Sequence, residues 1–162
     1  MTDFPGRPTD DSLAGHVVND DLPTAGEFIC SNELLNKIYH AIVWGTRGNY
    51  RSIPTDCPQR DERHGWLGDR SEESRGETFL FDNSNLYAKW LQDIADAQKS
   101  DGSVPDVAPA YWPIYSDNVV WPSSSVIIPE MLREQFNDTR IIANHYPGMK
   151  LWMNRMNGFM TN

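Results

Sequence analysis

Apolar residues recur at helical spacing in several stretches of this 162-residue chain, separated by two long segments that show no period. Leu34, Leu35, Ile38, Ala41 and Ile42 share one helical face. Ser31 is placed to cap that helix, with Glu33 in the first turn, where the positive end of the dipole favours an acid. Gly45 and Gly48 predict its fading. A second helix is expected over residues 70–80, weakened by about 1 kcal/mol at Gly76. From Ser84, the stripe Leu86, Tyr87, Trp90, Leu91, Ile94 and Ala97 is the clearest, reads as core, and is expected to close at Gly102.

Ser123 or Ser124 caps a fourth helix through Val126, Ile127, Met131, Leu132 and Phe136, in which Pro129 predicts a kink or a late start. Asp138 or Thr139 caps a fifth, with Ile141, Ile142, His145, Met149, Trp152, Met153 and Met156 inward, Pro147 as a kink and Gly158 as its end. No alternating strand pattern competes with these helices, so the fold class is all-α.

The first aperiodic segment, residues 55–69, reads TDCPQRDERHGWLGD. It holds the carboxylates Asp56, Asp61, Glu62 and Asp69, with Glu72 just downstream, among Arg60, Arg63 and Arg70 and beside the indole of Trp66. Pro54 and Pro58 deny helix to the residues before them, and Gly65 and Gly68 permit tight turns. The run is a structured, acid-bearing loop. Two readings stand: a salt-bridged brace, or a site that holds a polyhydroxyl ligand and moves a proton. The second segment, residues 103–122, reads SVPDVAPAYWPIYSDNVVWP; its four prolines and four aromatic rings make it stiff rather than disordered.

Composition narrows the partners. A net charge of −9 argues against nucleic acid and against anionic membranes. No apolar run is long enough to span a bilayer, and the first residues carry no signal-peptide core. Six tryptophans suit a sugar-binding cleft, although tryptophan fills cores as readily. Cys30 and Cys57 are too few for a disulfide framework, and free thiols are the expected state. No Cys/His spacing suggests zinc, so neither metal nor cofactor is expected. Residues 1–22, rich in Asp, Pro, Gly and Thr, read as a linker, and residues 23–162 as the helical domain.

The order of residues in TDCPQRDERHGWLGD resembles the acid loop of the α-L-rhamnosidases of glycoside hydrolase family 78. His64 stands where that family more often has an aliphatic residue, Leu67 where it has threonine, and Arg70-Ser71 where it has AQ. The segments SNELLNKIYHAI, LYAKWLQDIADAQKSDGSVPDVAP, VVWPSSSVIIP and HYPGMKLWM extend the resemblance in order from about residue 12 onward. It implies an (α/α)6 toroid of six helical hairpins, of which these helices form the first part. It also implies that residues 1–22 are the remnant of a preceding β-sandwich domain, and that the chain looks cut from a longer polypeptide.

By the same resemblance Glu62 is the general acid of an inverting hydrolysis of terminal α-L-rhamnosides. Asp56, Arg60, Trp66, Asp69 and Trp121 are the implied substrate-binding positions. Inversion needs a second carboxylate about 6.5–9.5 Å from the acid to activate water. The family supplies it from a later hairpin, so the rest of the catalytic domain is an expected partner and the chain alone is expected to be inactive. Arg60 and Arg63 would depress the acid, so they are expected to point away from Glu62. Asp61 reads as structural, and Asp106 lies in a loop facing the same end. The implied substrates are rhamnose-bearing oligosaccharides, polysaccharides or plant glycosides, and the implied location is the periplasm or the cell exterior. The alternative is a non-catalytic carbohydrate- or calcium-binding module using Asp56, Asp61 and Asp69 as oxygen ligands.

Overall fold

In the computed structural model, which describes residues 6, 7 and 9–160, five α-helices carry the chain: α1 (Glu33–Asn49), α2 (Leu67–Glu77), α3 (Ser84–Ala97), α4 (Ser124–Phe136) and α5 (Thr139–Phe159). Residues 1–5 and 8 of the expected linker, and 161–162 of the helical domain, lie outside the described residues. No strand forms among the described residues; pairing is limited to isolated bridges such as Trp66 with Val107. Among the described residues no helix is long and apolar enough to cross a membrane.

Local chemistry sets most boundaries. The cap of α1 is Asn32 rather than Ser31, because its Oδ1 accepts from Leu34 N–H at 2.9 Å. The Asp138 side chain caps α5 by accepting from Arg140 N–H at 3.1 Å. Pro129 and Pro147 are both carried inside their helices, so α4 has no late start. The second helix begins three residues before the expected Arg70. A tertiary contact explains the difference: Leu67 N–H, a donor left open by the helix end, gives its proton to Asp106 O of the long loop at 2.9 Å.

Helix α4 packs on α2, α3 and α5, and α3 also meets α5. Their common core gathers Leu67, Trp90, Ile94, Val104, Met131 and Trp152. The stripe of α3 is buried as expected from Leu86 to Ile94, and Ala97 at its end is half-buried. Truncating a ring such as that of Trp90 costs about 3–5 kcal/mol in cores of this kind.

Helix α1 departs from expectation. Leu34, Leu35, Ile38 and Ile42 are exposed, and α1 buries no residue. It is held by loops instead: Tyr39 Oη donates to Gly26 O at 2.9 Å, and Val43 joins a small cluster of Tyr50, Phe81 and Leu86. Met153 of α5 is likewise exposed. The apolar period of α1 is real, but nothing among the described residues covers it.

The N-terminal ends of α2 and α4 lie side by side. Ser124 Oγ donates to Leu67 O, and Ser71 Oγ lies 2.6 Å from Ser124 Oγ. Each of these ends is fed by one of the two aperiodic segments, which places both long loops at the same end of the helices.

Candidate active site

The acid loop is built as a braced turn. Asp56 N–H donates to His64 O, and Asp56 Oδ1 accepts from His64 N–H at 2.8 Å, closing the loop between these two residues. The Arg63 guanidinium plugs its interior, donating to the carbonyls of Cys57, Arg60 at 3.1 Å and Pro58 at 3.2 Å. Cys57 and Arg63 adopt φ of 45° and 63°, a region that costs side chains other than glycine energy and is kept only where surroundings enforce it.

The long loop anchors this turn from behind. Ala108 N–H donates to Gly65 O, and Trp90 Nε1 of α3 donates to Ala108 O at 2.7 Å. A Cβ on Gly65 would lie 2.2 Å from Ala108 O, so the approach requires glycine. Asp106, whose role the sequence left open, is buried and accepts from Ser116 Oγ at 2.9 Å; it holds the loop's own shape.

Glu62 sits at the mouth of the turn with 14 % of its side chain exposed. Its Oε2 accepts from Arg60 Nε at 2.6 Å and its Oε1 from Trp66 Nε1 at 2.7 Å. Arg60 first and Trp66 second hold the carboxyl below the ordinary glutamate range, against the desolvation that pushes it upward. Arg63 points off the acid as expected. Arg60 does not: its guanidinium pairs with Glu62 itself.

Asp56 is 3 % exposed, and its Oδ2 has no hydrogen-bond partner. A buried carboxylate oxygen without a donor is costly, and it invites a ligand hydroxyl. Asp56, Cys57 and Glu62 each place one atom within 4.8 Å of the others, the one trio among the described residues with metal-ligand composition. The Asp56 carboxylate and burial push the Cys57 thiol up to about 11, so a metal would have to displace its proton. Asp61 and Asp69 are exposed and do not join Asp56 in an oxygen cage. Cys30 and Cys57 are both free.

Asp69 stands in the first turn of α2, where the helix dipole favours a carboxylate. Trp121 packs its ring on Gly68, where a Cβ would meet it at 2.5 Å, and so sits one residue from Asp69. Glu62, Arg60, Trp66 and Asp56 therefore form one contiguous group, with Asp69 and Trp121 together at the adjoining helix end. Glu130 and Glu134 of α4 belong to neither: Glu130 pairs with Arg133 on the same helix and Glu134 with Arg75 of α2. Hollows of about 700 Å³ beside the end of α5 and about 520 Å³ beside α1 are lined by other residues.

A sequence model described as the bacterial alpha-L-rhamnosidase 6 hairpin glycosidase domain matches residues 23–161. The chain belongs to that family. It is 37% identical over 153 residues to an alpha-L-rhamnosidase of Streptomyces avermitilis, covering 94% of this chain and 15% of the relative. An alpha-L-rhamnosidase of an Alteromonas species is 33% identical over 147 residues, covering 91% and 16%.

The solved alpha-L-rhamnosidase of Dictyoglumus thermophilum superposes with a TM-score of 0.91 at 44% identity, covering 96% of this chain and 18% of that one. The Streptomyces avermitilis enzyme complexed with L-rhamnose gives 0.92 at 35% identity, covering 98% and 15%. The five helices are thus part of an α/α toroid. The chain spans less than a fifth of the length of the α-L-rhamnosidases it matches.

Sequence reading missed two contributors to the site. Trp90 reads as core but also fixes both loops through one N–H. Trp112, edge-on to Trp66 at 6.3 Å between ring centroids, is one of several aromatics in its segment, and only folding selects it.

Proposed function

We propose that this chain carries the acid side of a site that hydrolyses terminal α-L-rhamnosides with inversion. Glu62 is the general acid, and the base that activates water lies outside these residues. The observation that carries the reading is the placement of Glu62: partly exposed, oriented by two donors, and within 4.8 Å of a buried carboxylate with an unpartnered oxygen. Asp56 suits a sugar hydroxyl that donates to Oδ2. Trp66 and Trp121 supply apolar walls that match the methyl of a 6-deoxy sugar, and Asp69 a further acceptor at the helix end.

The pairing of Glu130 with Arg133 and of Glu134 with Arg75, away from the loop end, supports placing the base elsewhere. For Glu62 to deliver a proton near neutral pH, Arg60 must turn to another carboxylate or a second anion must approach.

The test pairs calorimetric binding of L-rhamnose with chromophore release from an aryl α-L-rhamnoside. The chain is expected to bind the sugar, to lose binding in Asp56→Asn, and to release no chromophore. In a longer polypeptide that turns over, Glu62→Gln should lower the rate by about 10²–10⁴-fold. Turnover by the chain alone would remove the claim that the base lies elsewhere. Absence of rhamnose binding would overturn the reading.

A further inference from the structure

Two carboxylates and a thiol meet at the acid turn, with no Cys/His motif to announce them. One atom each from Asp56, Cys57 and Glu62 lies within 4.8 Å of the others. Asp56 is 3 % exposed, and its Oδ2 has no hydrogen-bond partner. We propose that Asp56 Oδ2, Cys57 Sγ and a Glu62 carboxylate oxygen form a site for a thiophilic divalent cation, zinc or cadmium, whose occupancy shuts off the acid.

The surroundings hold these groups as outer-shell partners hold metal ligands. Asp56 Oδ1 is fixed by His64 N–H at 2.8 Å, which leaves Oδ2 for another partner. Glu62 Oε1 is fixed by Trp66 Nε1 at 2.7 Å. Glu62 Oε2 accepts from Arg60, whose side chain is 61 % exposed and can swing into water without stranding a buried charge. The Cys57 backbone is pinned by the Arg63 guanidinium on its carbonyl. An incoming cation therefore replaces Arg60 as the positive partner of Glu62. Binding expels a proton: the Cys57 S–H bond breaks, its electron pair passes to the metal, and water takes the proton.

The donor set selects the ion. Calcium and magnesium take oxygen ligands, calcium about six to eight of them. Zinc accepts a thiolate at about 2.3 Å and carboxylate oxygens at about 2.0–2.2 Å, and a fourth position can stay open. Ligand atoms that start within 4.8 Å need only short side-chain rotations to reach one such ion. A net charge of −9 draws cations towards the chain. The metal site stands on this geometry, and its consequence rests on the rhamnoside reading above. A metal-bound Glu62 has no proton to deliver, and Asp56 Oδ2 is closed to a sugar hydroxyl.

The experiment titrates the chain with cadmium, followed by thiolate-to-cadmium charge-transfer absorption, and with zinc, followed by calorimetry. The parent and Cys30→Ser should give the absorption, and Cys57→Ser should not. Asp56→Asn and Glu62→Gln should each weaken zinc binding by about tenfold or more, the scale on which even outer-shell partners act. Glu130→Gln, on α4, should leave it unchanged. Circular dichroism reports the fold of each variant. Zinc protection of Cys57 from alkylation, located by peptide mass spectrometry, serves where a variant fails to fold. Zinc should also displace L-rhamnose, and a chelator should restore sugar binding. Absorption that survives in Cys57→Ser, or Cys57 left unprotected at saturating zinc, overturns the site. Zinc and rhamnose bound together overturn the shut-off. Zinc held through Cys57 by a chain that never binds rhamnose supports the site and overturns the rhamnoside reading.

Discussion

Two glutamates flank α2, and both accept from an arginine and from an aromatic donor. Glu62, before the helix, takes Arg60 and the Trp66 N–H. Glu77, at its end, takes Arg70, Tyr50 Oη at 2.7 Å and Tyr87 Oη, with Asn83 donating onward to Tyr50 Oη at 3.1 Å. The chemistry is nearly the same and the surroundings are opposite. Arg70, Glu77, Tyr50 and Tyr87 are all buried, whereas Arg60 is exposed and Glu62 faces the loop mouth. The buried set ties the end of α1 to α2 and α3, and breaking it strands a charge in the interior. The open set can trade its partners for a ligand. Burial, not residue type, makes one a staple and the other a candidate acid.

The largest expected break in this comparison is Glu77→Ala. It leaves buried Arg70 with only the exposed Glu73, 3.3 Å away, as counter-charge and should cost up to about 3–5 kcal/mol in denaturant unfolding. Domains of this size are stable by only about 5–15 kcal/mol in total, so partial unfolding is the expected outcome. Glu62→Gln in the same assay should move the midpoint little, since water reaches that side chain. Equal losses would erase the distinction.

Gly65→Ala is next. Its Cβ cannot coexist with Ala108 O at 2.2 Å, so the loops must part; overpacking of this kind costs about 1–3 kcal/mol. Rhamnose binding should fall further than stability, because the displaced turn carries Asp56 and Glu62. A variant that binds normally would show that the two loops are not coupled.

The smallest effect concerns protons. Removing the arginine in Arg60→Gln should raise the Glu62 pKa, and Trp66→Phe should raise it less, read by carboxylate NMR. The sign for stability follows. A depressed carboxylate pKa in the folded state stabilises above the unfolded glutamate value of about 4.3, and that contribution disappears as pH falls through the folded value. Tyr50 and Tyr87 act in reverse. Burial first and Glu77 second raise both phenols, so their contribution is intact below the unfolded tyrosine value of about 10 and declines as pH rises beyond it. A parent chain whose stability is flat from pH 9 to 11 would contradict the buried network.

By itself, the sequence determined which residues form helices and which form the acid loop. Period, proline and glycine are local properties, and the helices formed where they pointed, with ends displaced by a few residues. The family resemblance singled out Glu62 and its companions because loop order is written in the chain. Tertiary structure decided the rest. Folding set Arg60 on Glu62, and α2 began at Leu67 because the long loop offered a carbonyl. Glu77 became a staple because Tyr50 at the end of α1, Arg70 of α2 and Tyr87 of α3 converge on it. The face of α1 stayed uncovered because an apolar stripe states that a surface should be buried, not what will bury it. Partners distant in sequence carry no local signature; only the folded chain brings them within reach.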